Sequence, residues 1–171
     1  AGTGNYLQGY NYYKKKDYKA ADDYFAKAVT LLKNDNNITN RQNVYPDAMI
    51  RLADCYFMEK EYKSAKQYYD EVIKSNAIGA DYALYQKSII DGLGGNYNDK
   101  IAGMKALVVR FPNSAFADDA IIQTGNTYMA QDKDDLAIET FKSLLIKNPK
   151  SDQIPDAYLK LGLIYYNRDN Y

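Results

Sequence analysis

Three pairs of adjacent carboxylates, Asp22-Asp23, Asp118-Asp119 and Asp134-Asp135, are the side chains whose spacing is closest to that of a reactive centre. Two carboxyls held together can divide a proton between them and act as acid and base. Each pair lies where a helix is expected to begin, however, and acidic residues there are favoured by the partial positive charge of the helix start. The pairs therefore read as helix-start residues. The run Asp132-Lys133-Asp134-Asp135 has the acidity of a calcium loop without its glycine or its distal glutamate. Gly92-Leu93-Gly94-Gly95 has neither the following Lys-Ser/Thr nor the preceding strand of a phosphate cradle. Both read as turns. The sequence has no histidine and one cysteine, Cys55, which removes histidine triads, histidine metal sites and an internal disulfide. Cys55, in RLADCYF, reads as a small buried apolar side chain. No catalytic residue, metal or cofactor is expected, and so no enzyme.

Composition narrows the field further. The 171 residues carry 22 basic and 22 acidic side chains, for a net charge of zero. A nucleic-acid binder shows a basic surplus or stripe, and the one basic cluster here, Lys14-Lys15-Lys16, sits in a polar turn. No apolar run is long enough to span a bilayer, and AGTGNY at the start lacks the layout of a signal peptide. Tyrosine is in excess: 19 residues against 5 Phe and no Trp. That excess calls for either unusual packing or a surface for a partner.

The elements that hold these residues follow from a repeat. FPNSAFADDA at 111–120 returns as NPKSDQIPDA at 148–157. Taking a polar-turn residue as a marker, Tyr18, Tyr62, Tyr97, Asp134 and Tyr171 align. Upstream of each is a small residue: Gly9, Ala53, Ser88, Gly125, Gly162. Downstream come Ala21, Ala65, Lys100, Ala137; then Phe25, Tyr69, Met104, Phe141; then Ala28, Val72, Leu107, Leu144. Offsets of three, four and seven are helical. Small columns let two helices approach, and the large residues fill what remains. Pro46, Pro112, Pro149 and Pro155 fall between the repeats, where a missing amide hydrogen is tolerated, with Ser114 or Asp118 expected as a helix cap.

This spacing resembles the tetratricopeptide repeat, a helix–turn–helix unit. GNTYMAQDKDDLAIETFKSLLIKNP, residues 125–149, is the best copy. The Pro-x-Ser junctions resemble those of bacterial cell-envelope members, the BamD-type assembly lipoproteins and the coordinator of the Tol–Pal system. The resemblance implies an all-α fold, a right-handed α-α superhelix of antiparallel helix pairs. The units are repeats at about 3–33, 47–77, 81–113 and 118–150, a partial one at 155–171, and an Asn-rich insert at 33–46. The third repeat departs from the pattern with Asp91 and Lys100, which either pack loosely or pair. The last helix has no polar half, so the chain reads as part of a longer one. A periplasmic or outer-membrane-associated location is expected, with a cytoplasmic one as the alternative.

The same resemblance implies that first helices line a concave groove. The positions that would face it are Tyr6, Ile50, Tyr85, Ile122 and Leu159; Tyr10, Asp54, Ile89, Asn126 and Leu163; and Tyr13, Phe57, Gly92, Met129 and Tyr166. Apart from Asp54, Asn126 and Gly92 these are apolar or aromatic, and none is basic. A clamp for a peptide's terminal carboxylate is thereby excluded. Some of these residues can be core between neighbouring repeats; as a strip they read as a docking surface for an apolar or aromatic protein or peptide segment, with Asp54 and Asn126 fixing its register. The alternatives are a structural module that self-associates through its C-terminal helix, and a regulatory arm of a larger enzyme.

Overall fold

The computed structural model describes residues 1–169, and among these residues it contains nine α-helices and no strand. They are α1 (Gly2–Lys14), α2 (Tyr18–Leu32), α3 (Tyr45–Met58), α4 (Tyr62–Ser75), α5 (Ala80–Leu93), α6 (Tyr97–Arg110), α7 (Ala117–Met129), α8 (Asp134–Lys147) and α9 (Ile154–Asp169). A π-helical stretch, Asn40–Val44, runs into α3. The chain forms two compact units, Ala1–Ile90 and Asp91–Tyr171.

Tyr18, Tyr62, Tyr97 and Asp134 are the first residues of α2, α4, α6 and α8. The turn before each contains one residue in the left-handed region: Lys16 (φ 61°), Lys60 (φ 64°), Gly95 (φ 77°) and Asp132 (φ 55°). A single left-handed step reverses the chain and lets a helix end tightly. Side chains other than glycine adopt it at some cost.

The periodic columns are the core. Phe25, Tyr69, Met104 and Phe141 are fully buried, as are Ala28, Val72, Leu107 and Leu144. The small column faces them. A Cβ on Gly9 would meet the Phe25 ring, and one on Gly125 would meet the Phe141 ring. Each aromatic ring thus occupies the space its glycine vacates. Two ring stacks repeat across the first two hairpins, Tyr12 on Tyr24 at 5.3 Å and Tyr56 on Tyr68 at 5.9 Å between centroids.

Ser114 is not the cap of α7. Phe116 occupies that position with no side-chain cap bond, and Ser114 Oγ accepts from the Phe116 amide in a turn of its own. Ser151 does the same for Gln153. The repeated serine therefore builds the bend before the helix. Asp118 does not cap either; its carboxylate accepts from Asn148 Nδ2. In the insert, Asp35 takes bonds from the Asn37 amide and from Asn40 Nδ2, so local polar contacts occupy the bend.

Candidate protein-interaction surface

In the first unit the strip is built on α1 and α3. Tyr6, Tyr10 and Tyr13 follow one another at i, i+4 and i+7, the spacing of one helix face. All three are half-buried. Their rings stand edge-on around Phe25, with centroids at 6.2, 5.5 and 6.4 Å. The Tyr6 and Tyr10 hydroxyls both donate to Asp47 Oδ2 at 2.7 Å. Two turns along α3, Asp54 Oδ1 accepts from Tyr69 at 2.6 Å and Tyr82 at 3.0 Å. Arg51 lies between the carboxylates, donating to Asp54 Oδ2 at 2.6 Å and Asp47 Oδ1 at 3.4 Å. Its guanidinium also lies over the rings of Tyr10 and Tyr82, 6.0 and 5.8 Å from their centroids. One arginine, two carboxylates and four tyrosine hydroxyls therefore form a single network.

Several positions differ from expectation. Asp54 and Ile50 are only 4% and 3% exposed, so neither is open to a partner. Asp54 is the hub of the network, and Ile50 packs against the backbone of Gly79. In the second unit Ile122 is 3% exposed and belongs to the core with Ile121 and Leu144. The reason is the same for all three. α3 packs against both α2 and α4, and α7 against both α6 and α8, so these middle helices bury more than one stripe. The strip is also not devoid of positive charge, because Arg51 stands between its tyrosines.

Phe57, Tyr85 and Ile89 in the first unit remain half-buried, with the Phe57 ring 5.8 Å from that of Tyr62. In the second unit Asn126 and Met129 are half-buried, and Leu159, Leu163 and Tyr166 are exposed. Gly92 lies against the alkyl stem of Lys100, whose Nζ donates to Gln123 Oε1 at 3.0 Å. Burial pulls the Lys100 ammonium down, with Asp119 opposing. The sequence reading missed Asp47, Arg51, Tyr69 and Tyr82. Its one available signal was Asp47-Arg51-Asp54, whose spacing of four and three places all three on one face of α3.

The acidic pairs are engaged in structure. Asp22 takes Lys19 at 3.2 Å, and Arg168 reaches Asp134 at 3.8 Å and Asp135 at 2.8 Å. Among the described residues no group of three or more His, Cys, Asp or Glu could hold a metal ion. No helix there is long and apolar enough to cross a membrane. Cys55 is buried, and that burial pushes its thiol up to about 12, far from the thiolate a nucleophile needs.

The network sets a pH limit. Burial, helped by the bonds to Asp47 and Asp54, raises Tyr6, Tyr10, Tyr69 and Tyr82 above the ordinary 10.0. Burial also pushes Tyr13 up to about 12. The unfolded chain releases these protons near pH 10 while the folded chain keeps them, so their stabilisation is complete below pH 10 and declines as pH rises above it. Tyrosinate absorbance should show these network tyrosines ionising only as helical circular dichroism is lost. Ionisation of every tyrosine in one step with the helices intact would contradict this network.

The fold and surface place the chain among known proteins. Models of the tetratricopeptide repeat match residues 47–77 and 119–151 and residues 3–35, together more than half of the chain. The photosystem I assembly protein Ycf3 of Prochlorococcus marinus is 27% identical over 90 residues, 53% of this chain and 50% of that protein. The chain thus spans about half the length of the curated relatives it matches. A tetratricopeptide repeat protein from Parabacteroides merdae, 17% identical, superposes with a TM-score of 0.76 over 98% of this chain and 61% of its own. YrrB, a repeat protein with an unusual peptide-binding site, is 23% identical with a TM-score of 0.65 over 88% of this chain and 70% of its own. The matched models are repeat models rather than catalytic ones, and repeats of this kind bind protein or peptide partners. On the matched repeats and the shared all-helical fold, this chain belongs to the tetratricopeptide-repeat family.

Proposed function

We propose that the chain is a non-enzymatic scaffold that docks an apolar or aromatic protein segment on the tyrosine wall of its first unit. The observation that carries this reading is the fixing of Tyr6 and Tyr10 by the Asp47 carboxylate, above the Phe25 ring. Rings held by hydroxyl–carboxylate bonds lose little freedom when a partner arrives, so less ordering cost is subtracted from the contact. Each ring combines a broad apolar face with a polar rim, the surface that aromatic recognition uses. The peptide site of YrrB and the assembly role in the name of Ycf3 are consistent with a scaffold. A place in the bacterial envelope, periplasmic or outer-membrane-associated, beside the BamD-type and Tol–Pal repeat proteins, is part of the same proposal. It rests on the Pro-x-Ser junctions at 112–114 and 149–151.

The test uses the absence of tryptophan from the chain. Peptides selected on the purified protein and carrying one tryptophan report their own burial by fluorescence. Tyr13→Ala with Phe57→Ala should weaken binding by about 30-fold or more, the loss expected of a central aromatic contact. Leu7→Ser, at an exposed position of α1, should leave it unchanged. Equal affinity for the double variant and the parent would remove the wall from consideration as the docking site.

A further inference from the structure

The second unit carries a groove between α6 and α8. Both helices pack on α7, which floors the groove with Ile121, Thr124 and Tyr128, all buried. One wall is Lys105, Val108 and Val109 of α6, at i, i+3 and i+4. The other is Leu136, Thr140, Ser143 and Lys147 of α8, at i, i+4, i+7 and i+11. Each set lies on one helix face. Val109 is 80% and Leu136 42% exposed. The space between the walls is about 320 Å³, at the lower end of the roughly 300–1,000 Å³ of ligand clefts. Few donors face it. Thr124, Thr140 and Ser143 donate their hydroxyl hydrogens to carbonyls of their own helices, those of Ala120, Leu136 and Thr140. Lys105 and Lys147 remain. The Lys105 ammonium lies 5.3 Å from the centroid of the Tyr128 ring and donates to its hydroxyl at 2.9 Å. Neither lysine pairs with a carboxylate among the described residues.

We propose that this groove docks an amphipathic helix of a partner protein, with carboxylates flanking its apolar stripe. An extended segment is disfavoured. Its backbone amides and carbonyls need partners, and walls made of helices have already paired theirs. A helix brings its backbone bonds with it and needs only apolar contact and matching charge. Val108, Val109, Ile121 and Leu136 supply the contact. Lys105, held by Tyr128, and Lys147 supply charged donors, which bond most strongly to ionised acceptors, and no acid of this chain has to be displaced first. Glu139, the one carboxylate of the walls, is exposed and disfavours an acid directly opposite it. The groove therefore selects a pattern of charge as well as its sign. It is a different site from the tyrosine wall, on other helices of the other unit, and it takes an acidic helix rather than an aromatic segment.

Displayed peptides of about 15 residues, about four helical turns, test the proposal. Leucines are fixed at i, i+4, i+7 and i+11 and the other positions are random. The bait is the full chain carrying Tyr13→Ala and Phe57→Ala, which removes the tyrosine wall and keeps the two sites distinguishable. Selection should enrich Asp and Glu beside the leucines, and the affinity of a selected peptide, read by fluorescence anisotropy, should fall as salt is raised. Lys105→Glu with Lys147→Glu should weaken that peptide at least roughly tenfold, because like charges would then face each other. Selection on this variant should enrich Lys and Arg instead. Both positions are exposed, so helical circular dichroism should be retained, which separates loss of contact from loss of fold. Lys27→Glu with Lys33→Glu, exposed positions of the first unit, changes the net charge equally and should leave binding unchanged. Selection without acidic enrichment, affinity that survives the Lys105/Lys147 reversal, or binding that persists when a central proline breaks the peptide's helix would each overturn it.

Discussion

Phe141→Ala should lower the unfolding free energy by about 3–5 kcal/mol, the range for removing a buried aromatic ring. Phe141 is fully buried, at the centre of a cluster that includes Ile121, Ile122, Leu144 and Leu161. Its ring also fills the space left by the missing side chain of Gly125. The loss is therefore both the transfer of the ring and an unfilled void between two helices that cannot close without moving their backbones. Against a typical total of about 5–15 kcal/mol, this is a large fraction. Gly125→Leu alone should also destabilise, by about 1–3 kcal/mol for overpacking. Combined, the leucine refills part of the void. Urea denaturation of the two single variants and the double should show a double-variant loss well below the sum of the singles. Simple additivity would mean that the ring and the glycine are not opposite halves of one contact.

Asp54→Ala should cost about 3–4 kcal/mol, the consequence of removing one member of a buried charged pair. Arg51 would keep only the longer bond to Asp47, and the hydroxyls of Tyr69 and Tyr82 would lose the acceptor they share. Part of the Arg51 side chain reaches solvent, which holds the figure to the lower end of the range. Arg51→Met in the same chain should recover much of the loss, since an apolar pair in place of a buried ionic one is often neutral or better. Thermal or urea unfolding of the cycle measures this. If Asp54→Ala unfolds like the parent, the carboxylate is not the hub described here. The residue is also a poor probe of docking, because loss of binding on its removal would report loss of structure.

The two predictions differ in how visible they were in the sequence. The Gly125–Phe141 contact follows from periodicity: a small residue in one helix, a large one at a fixed distance in the next, repeated in Gly9 and Phe25. The Asp54 network does not. Its hydrogen bonds join residues 15, 28, 37 and 41 positions apart, and nothing in a repeat pattern specifies them, because they occur in one unit only. The positions assigned to a groove fared according to their neighbours. Tyr6, Tyr10 and Tyr13 lie on the first helix and keep part of each ring in solvent. Ile50 and Ile122 lie on helices packed on both sides, and a stripe offset from the core is core there too. The repeat pattern describes one hairpin and carries no information about how many others flank it.

The left-handed step in each hairpin turn has a practical use. Lys16, Lys60 and Asp132 make it with side chains that point into solvent, so the bend is a property of the backbone and tolerates different chemistry at its tip. Cys55 is sealed in the core and keeps its proton at neutral pH. A thiol installed at one of these tips, as in Lys60→Cys, would therefore be the only one addressable in the native chain. It offers a place to attach a fluorophore or a surface tether without disturbing any helix.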